Sequence, residues 1–530
     1  MRRWNGWGDA SYEMTLDAPA LAFLRERIGS GSPPRDAALE SVLSGIAPGR
    51  LEGAGYASDP EARLRHARGQ SFPDWLALRS GRVGRLPDAV VAPDSFDALR
   101  AALADALRRG AVVVPYGGGT SVVGHLTPPE GERPVLSLSL ERMTRLLELD
   151  PVDRLARFEA GVSGPLLERQ LGAQGWRLGH YPQSFQYSTL GGWVAARSSG
   201  QQSRLYGRIE QLFHGGRLLT PRGEWRVGGH PASAAGPDLR HLVLGSEGRL
   251  GVLGEASVRI VPLPQREDFH VAFLADWTQG LAAVRALAQE GPPLSMLRLS
   301  NALETDTQLR LAGRPQAVAW LRRYLALRGL GGAPVMLTFG LTGSAPAVTR
   351  WRRQTLAMLR AAGALHVGRA LGRAWAAKRF TSPYLRNTLW ELGYGADTVE
   401  TAVSWSGASA LMRAIERAAT QAAAEDGERM LAFTHLSHVY SDGCSLYSTF
   451  VFRLADDPER SLARWKALKR AVSEAIVAAG GTISHQHGVG RDHAPYLAAE
   501  KGETGLNLLR AVCREIDPDG RMNPGSLLEP

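Results

Sequence analysis

The stretch VVVPYGGGTSVVGHLTPPEG, residues 112–131, decides the fold. An apolar run ends at Pro115, and three glycines, Thr120, Ser121 and a further glycine follow. A glycine-rich turn after a strand commonly holds a phosphate, and three templates compete for it. A Walker loop needs Lys-Ser/Thr after its last glycine, and none stands here. A dinucleotide fold needs the glycines to open a helix. Val122, Val123, Gly124, Pro128 and Pro129 cannot start a long one. What remains is a nest of successive backbone N–H groups, with glycines permitting positive φ and the Thr120 and Ser121 hydroxyls adding donors. A plain glycine-rich turn is the other reading of the same spacing.

Around this stretch the bulk properties are those of a globular protein. At 530 residues the chain exceeds one simple core, so roughly two or three domains are expected. Cys444 and Cys513 are too few for a disulfide framework or a zinc site, which suits a reducing compartment. The opening MRRWNGWGDASYEM has no apolar leader and no run is long enough to span a bilayer, so a cytoplasmic protein, at most peripheral on the inner membrane face, is expected. The net charge is +10. The bases are almost all arginine and read as scattered among acids, a trait of GC-rich coding sequence, so nucleic acid is not an expected partner. Attraction to an anionic membrane surface or substrate stays open.

Along the chain, residues 1–84 read as a helical lead with candidate helices in DAPALAFLRERIG and PRDAALESVLSGI. Residues 85–264 alternate strand, helix and glycine turn. Asp94 or Ser95 caps a helix whose buried face is Phe96, Leu99, Leu103 and Leu107, and Gly110 ends it. From 265 to 460 the texture shifts: strands in FHVAFLADW and MLRLSN, a long helical stretch over 349–425, then strands over 428–454. In 461–530 a helix with Trp465, Leu468, Val472 and Ile476 on one face leads to TISHQHGVGR.

Two more segments repeat the chemistry of the first: PQSFQYSTLGGWVAARSSG (182–200) and GSEGRLGVL (245–253). Together with VPYGGGTSVVGH they resemble the flavin-binding domain of the vanillyl-alcohol oxidase/para-cresol methylhydroxylase superfamily. The resemblance implies an α+β protein with a two-lobed FAD domain of that type and an α/β cap. It also implies non-covalent FAD, with the pyrophosphate on the first segment and Gly118 leaving room for it. The FAD-holding set would be Pro115, Tyr116, Gly117, Gly118, Gly119, Thr120, Ser121, Val122, Gln183, Ser184, Ser188, Thr189, Gly192, Ala196, Arg197, Ser198, Ser199, Glu247, Gly248, Leu250, Gly251, Val252 and Leu253. His125, just after the loop, is the one residue there that raises the question of a covalent link.

The segments RRWNGWGD, GGWVAARSSG, MLRLSN, SPYLRNTLWELGYGADTVETAVSW, YSDGCSLYSTF and SHQHGVGR together resemble the alkyldihydroxyacetonephosphate synthase family. That resemblance implies an ether-lipid transferase. It would exchange the acyl group of acyl-dihydroxyacetone phosphate for a fatty alcohol through a flavin N5 adduct, without net redox. It would work as a homodimer at a membrane surface. An FAD-linked D-2-hydroxyacid dehydrogenase is the alternative.

Carried over by motif, the family's phosphate-binding arginine falls on Arg386 and its catalytic tyrosine on Tyr447. A planar guanidinium suits a phosphate, but a surface helix arginine reads the same. Tyr447 could equally be a core tyrosine. The family's HHHG appears as His485, Gln486, His487 and Gly488; on an extended segment His485 and His487 would share a face and Gln486 would turn away. A metal on H-x-H lacks a third obvious ligand, so no metal is expected. Arg298 matches a further family arginine near the flavin ring, with a structural salt bridge as the other reading.

Overall fold

The computed structural model describes every residue except Ala54, Ala312, Gly313 and Pro530. The flavin lobe is built on two sheets. One is three-stranded and parallel, in the order Ala89–Val91, Val135–Ser139, Val112–Tyr116. Helix Phe96–Arg108 packs on it, capped by Ser95, whose hydroxyl accepts from the Ala98 amide at 3.2 Å. Phe96, Leu99 and Leu103 are buried as their spacing predicts. The other sheet is antiparallel and five-stranded, in the order Leu146–Asp150, Leu155–Glu159, Val252–Arg259, Phe213–Thr220, Gly223–Gly228. The C-terminus returns to this lobe: Met522 bridges Val113 in parallel, and the Asn523 amide donates to the Val113 carbonyl.

The cap is one antiparallel sheet of seven strands, in the order Leu365–His366, Arg266–Leu274, Val335–Gly343, Met296–Ser300, Met430–Val439, Gly443–Arg453, Tyr394–Ser404. Alternation along the strands divides its faces. Leu299, Leu337, Leu436, Leu446 and Val399 share one hydrophobic core with Val284, Ile415, Leu468 and Val472 from helices Trp277–Gln289, Ala408–Glu425 and Pro458–Ala478. The residues between them, Glu400, Tyr447 and His435, lie in register across three strands and form a polar row on the opposite face.

The helical stretch expected over 349–425 is broken. Helices Ala345–Ala361, Ala370–Lys378, Leu385–Glu391 and Ala408–Glu425 are interrupted by the eleven-residue strand Tyr394–Ser404. Alanine-rich flanks mask the alternation of Thr398 and Glu400 with Val399 and Thr401, and pairing with Gly443–Arg453 decides the outcome. The N-terminal segment is stitched to the cap: Asn387 exchanges hydrogen bonds with the Trp7 backbone at 3.1 and 3.0 Å.

Candidate active site

The glycine loop lies flat on the 184–189 segment. A Cβ on Gly118 would overlap the Tyr187 carbonyl, and one on Gly117 the Thr189 hydroxyl. Only Gly119, at φ +63°, needs the left-handed region among the three. Gly118 is therefore demanded by chain-on-chain contact, where the sequence reading gave it to the pyrophosphate. Gly248, at φ +79°, sits against Pro115, which brings the third segment to the same place.

Together the three segments line one cleft that is open at its mouth. All of Pro115–Val122 lines it, as do Ser184, Ser188, Thr189, Gly192, Ala196, Ser198, Glu247, Gly248, Gly251, Val252 and Leu253. Four expected residues do not. Gln183 reaches across to the Tyr447 hydroxyl at 3.3 Å. Arg197 caps its helix in a left-handed conformation and turns to Glu210 at 3.3 Å. Ser199 faces His438, and Leu250 is in the core. Leu140, Leu218 and Val243 also line the cleft, and nothing in their local sequence distinguishes them from ordinary core positions, whereas Trp193, a further lining residue, lies inside the GGWVAARSSG segment. Asn523, in the NPGS stretch, lines it too, and its cluster of turn residues was an available signal.

The lining suits a bound dinucleotide. Thr120 and Ser184 keep hydroxyls without a protein hydrogen bond among the described residues, next to the loop amides. The one acid in the wall, Glu247, is engaged. His125 Nε2 stands 3.1 Å from its carboxylate, while the Gly490 amide and Ser526 hydroxyl donate to it at 2.9 Å each. Burial alone would raise the Glu247 carboxyl, but the His125 charge and the amides outweigh it and hold it low. Burial disfavours the His125 imidazolium, yet Glu247 raises its pKa. The other His125 nitrogen meets the Ser121 hydroxyl at 2.9 Å, so the ring sits between Glu247 and the glycine loop.

The cap closes the other side. The 485–487 segment does not alternate as a strand would. It has one backbone bond to the sheet, from the His485 amide to the Glu400 carbonyl, and Gln486 Nε2 is drawn back to the Glu400 carboxylate. Gln486 and His487 thus line the cleft and His485 points away, reversing the expected facing of Gln486. His485 Nδ1 is 3.2 Å from Glu400, and its Nε2 meets Tyr440 at 2.6 Å and Arg208 at 3.0 Å. Glu400, His438 and His485 gather their donor atoms within 4.8 Å. Arg208 and the donors already on Glu400 make this a hydrogen-bonded cluster rather than an open metal seat. Burial pushes the His438 imidazole down to about 3, and it pushes His485 and His487 down as well.

Tyr447 stands edge-on to His487 at 6.1 Å between ring centroids and stacks on His435 at 4.9 Å. Burial pushes its hydroxyl up to about 12, so it is protonated at neutral pH. Arg298 does not reach the cleft: its guanidinium is given to Glu304 at 2.6 Å and His435 at 3.2 Å, one layer behind Tyr447. Arg386 lies over the Trp75 ring at 4.3 Å and donates to the Gln70 carbonyl at 2.8 Å, and the Gln70 amide in turn donates to Ser121 of the glycine loop. Glu400, Glu304, His435 and His438 went unread in the sequence. For Glu400 the signal was there, in the alternation of TVETAV.

A two-lobed parallel-plus-antiparallel domain with a glycine-built cleft, under an antiparallel cap, defines an FAD-binding protein of the FAD-linked oxidase type. The FAD binding domain family matches residues 87–229, and the FAD linked oxidases, C-terminal domain family matches residues 263–527. Within that class the chain belongs to the alkyldihydroxyacetonephosphate synthase family. It is 32% identical over 89% of its length to the alkyldihydroxyacetonephosphate synthase of Dictyostelium discoideum, and 33% identical over 89% to that of Trypanosoma brucei brucei, covering 78% of each. A solved structure of an alkyldihydroxyacetonephosphate synthase superposes with a TM-score of 0.83 at 26% identity, covering 99% of this chain and 98% of that one. No helix among the described residues is long and apolar enough to cross a membrane.

Proposed function

We propose that this chain is an FAD-dependent alkyldihydroxyacetonephosphate synthase. It takes an acyl ester of dihydroxyacetone phosphate and a long-chain alcohol, and it releases the ether and the free fatty acid without net redox. The observation that carries the reading is His487 in the cleft wall with Tyr447 edge-on behind it, and Arg386 tied through Gln70 to the glycine loop. Bound FAD supplies an electrophilic N5 and an electron sink.

In this reading Arg386 binds the substrate phosphate, since among the described residues its one hydrogen bond goes to Gln70 and the rest of its planar fork remains for oxygens. A tyrosine held protonated is a poor base by itself. The neutral His487 imidazole accepts the C1 proton, and Tyr447 orients and relays it. His485 and Arg298 act from behind: His485 with Glu400 holds the 485–487 bend, and Arg298 with Glu304 fixes His435 under Tyr447. Incubation with palmitoyl-dihydroxyacetone phosphate and labelled hexadecanol should give labelled ether product with the flavin spectrum unchanged afterwards. No ether, together with flavin bleached by D-2-hydroxy acids, would place the chain among the redox enzymes. The water-insoluble chains of both substrates support peripheral attachment to the inner membrane face. A homodimer is the expected assembly, and light scattering tests it.

A further inference from the structure

The arginines are not evenly scattered. Residues 307–390 hold thirteen arginines and one lysine and no aspartate or glutamate, so the rest of this +10 chain is net negative. The acid-free run contains helix Pro315–Leu327, which has two unlike faces. Leu325 is buried with Val271, Phe273, Leu309 and Met336, and Val318 and Leu321 pack against the same cluster. The outward stripe is Trp320, Arg323, Tyr324 and Leu327, at the spacing of one helix face. Trp320 is 70% exposed, Tyr324 43% and Leu327 85%, large apolar surfaces with nothing over them.

We propose that this outer face, with its basic surroundings, docks the protein on an anionic lipid bilayer. Its composition is that of an interfacial helix: two amphipathic aromatics and a leucine to enter the headgroup boundary, and arginines to meet lipid phosphates. Arg323 lies over Trp320 at 5.5 Å and Arg328 over Tyr324 at 5.9 Å, so the cations flank the apolar stripe. Asp306 pairs with Arg310 and Arg322, which leaves Arg323 and Arg328 without an acid partner among the described residues. The neighbouring helix Ala370–Lys378 packs Leu371 on the same cluster and adds exposed Arg373 and Lys378.

The position also fits. Met336, beneath the helix, pairs in register with Ser300, Ser300 with His435, and His435 with Tyr447. The docking helix therefore covers the same face of the cap sheet as the proposed catalytic row. A lipid delivered there arrives on the working side.

The proposal rests on the synthase reading for its use of lipid substrates, but its test does not use activity. The full-length flavoprotein is sedimented with vesicles of phosphatidylcholine alone or phosphatidylcholine with phosphatidylglycerol, at low and high salt. Wild type should bind only the anionic vesicles and be released by salt. The W320Q/L327Q variant, altered only at exposed positions, should keep its FAD and bind at least about tenfold more weakly. Failure of wild type to bind anionic vesicles, or equal binding by the variant, overturns the proposal. A concentration-dependent dimer that the variant loses, with no vesicle binding by either protein, overturns it in favour of a second copy on this face. Loss of ether synthesis with vesicle binding intact would count against the synthase reading alone.

Discussion

The flavin lobe and the cap build their halves of the site from different materials. In the flavin lobe the wall is main chain: Gly117 and Gly118 are pressed on the 187–189 backbone and side chains, and Gly248 on Pro115. In the cap it is buried charge: Glu400 gathers His485, Gln486, Ser445 and His438, and Glu304 gathers Arg298 and His435. A wall of main chain tolerates changes of polarity but not a Cβ. A wall of buried charge tolerates volume but not loss of a partner.

The largest effect should follow from violating the first rule. Gly118→Val drives a branched side chain into the Tyr187 carbonyl, costing about 3 kcal/mol or more, and should abolish FAD retention. Flavin absorbance per mole of purified protein measures this; a fully yellow variant would break the contrast. The second rule is tested by Glu400→Gln, which keeps shape and removes charge from the cluster. It should cost about 2 kcal/mol in urea unfolding while FAD stays bound. Arg386→Lys keeps charge but loses the planar fork, so the acyl substrate should bind more weakly by about 1–2 kcal/mol with flavin content unchanged. An unaltered KM would return Arg386 to its packing on Trp75.

The last effect is one of pH. Burial, partly offset by Lys469, pushes the Asp492 carboxyl up to about 7. Unfolded, it titrates near ~4, so between these values the native state holds the extra proton and stability falls as pH rises. Asp492→Asn should therefore gain up to about 4 kcal/mol over wild type at pH 8 and little at acid pH, read from unfolding midpoints. A gain independent of pH would show that the carboxyl is not held protonated.

The same contrast governs what the sequence discloses. Main-chain walls are written in local sequence, because close approach requires glycine, so GGG, LGG and SEGRLG marked three sides of the cleft. The reason at Gly118 was invisible, because Tyr187 is brought there only by the fold. Buried clusters are assembled across strands distant in sequence: Glu400, His435 and Tyr447 become neighbours only through register. The strand Tyr394–Ser404 was masked by its alanine-rich flanks, and H-x-H misled because one backbone bond cannot impose alternation on three residues. The acid-free run 307–390 was fully legible, but an average over the whole chain hid it.

The central claim is that the cap removes a C1 proton from a phosphorylated ketone ester beside the flavin without net oxidation. It is tested most directly in heavy water, by mass spectrometry of acyl-dihydroxyacetone phosphate incubated with wild type and with Tyr447→Phe, a variant that loses one oxygen and should stay yellow. Wild type should wash deuterium into C1, and the variant should do so 10²–10⁴-fold more slowly, roughly the value of a positioned acid–base group. Equal exchange by both proteins would contradict the assignment of Tyr447. No exchange by wild type, with D-2-hydroxy acids bleaching its flavin, would contradict the account as a whole.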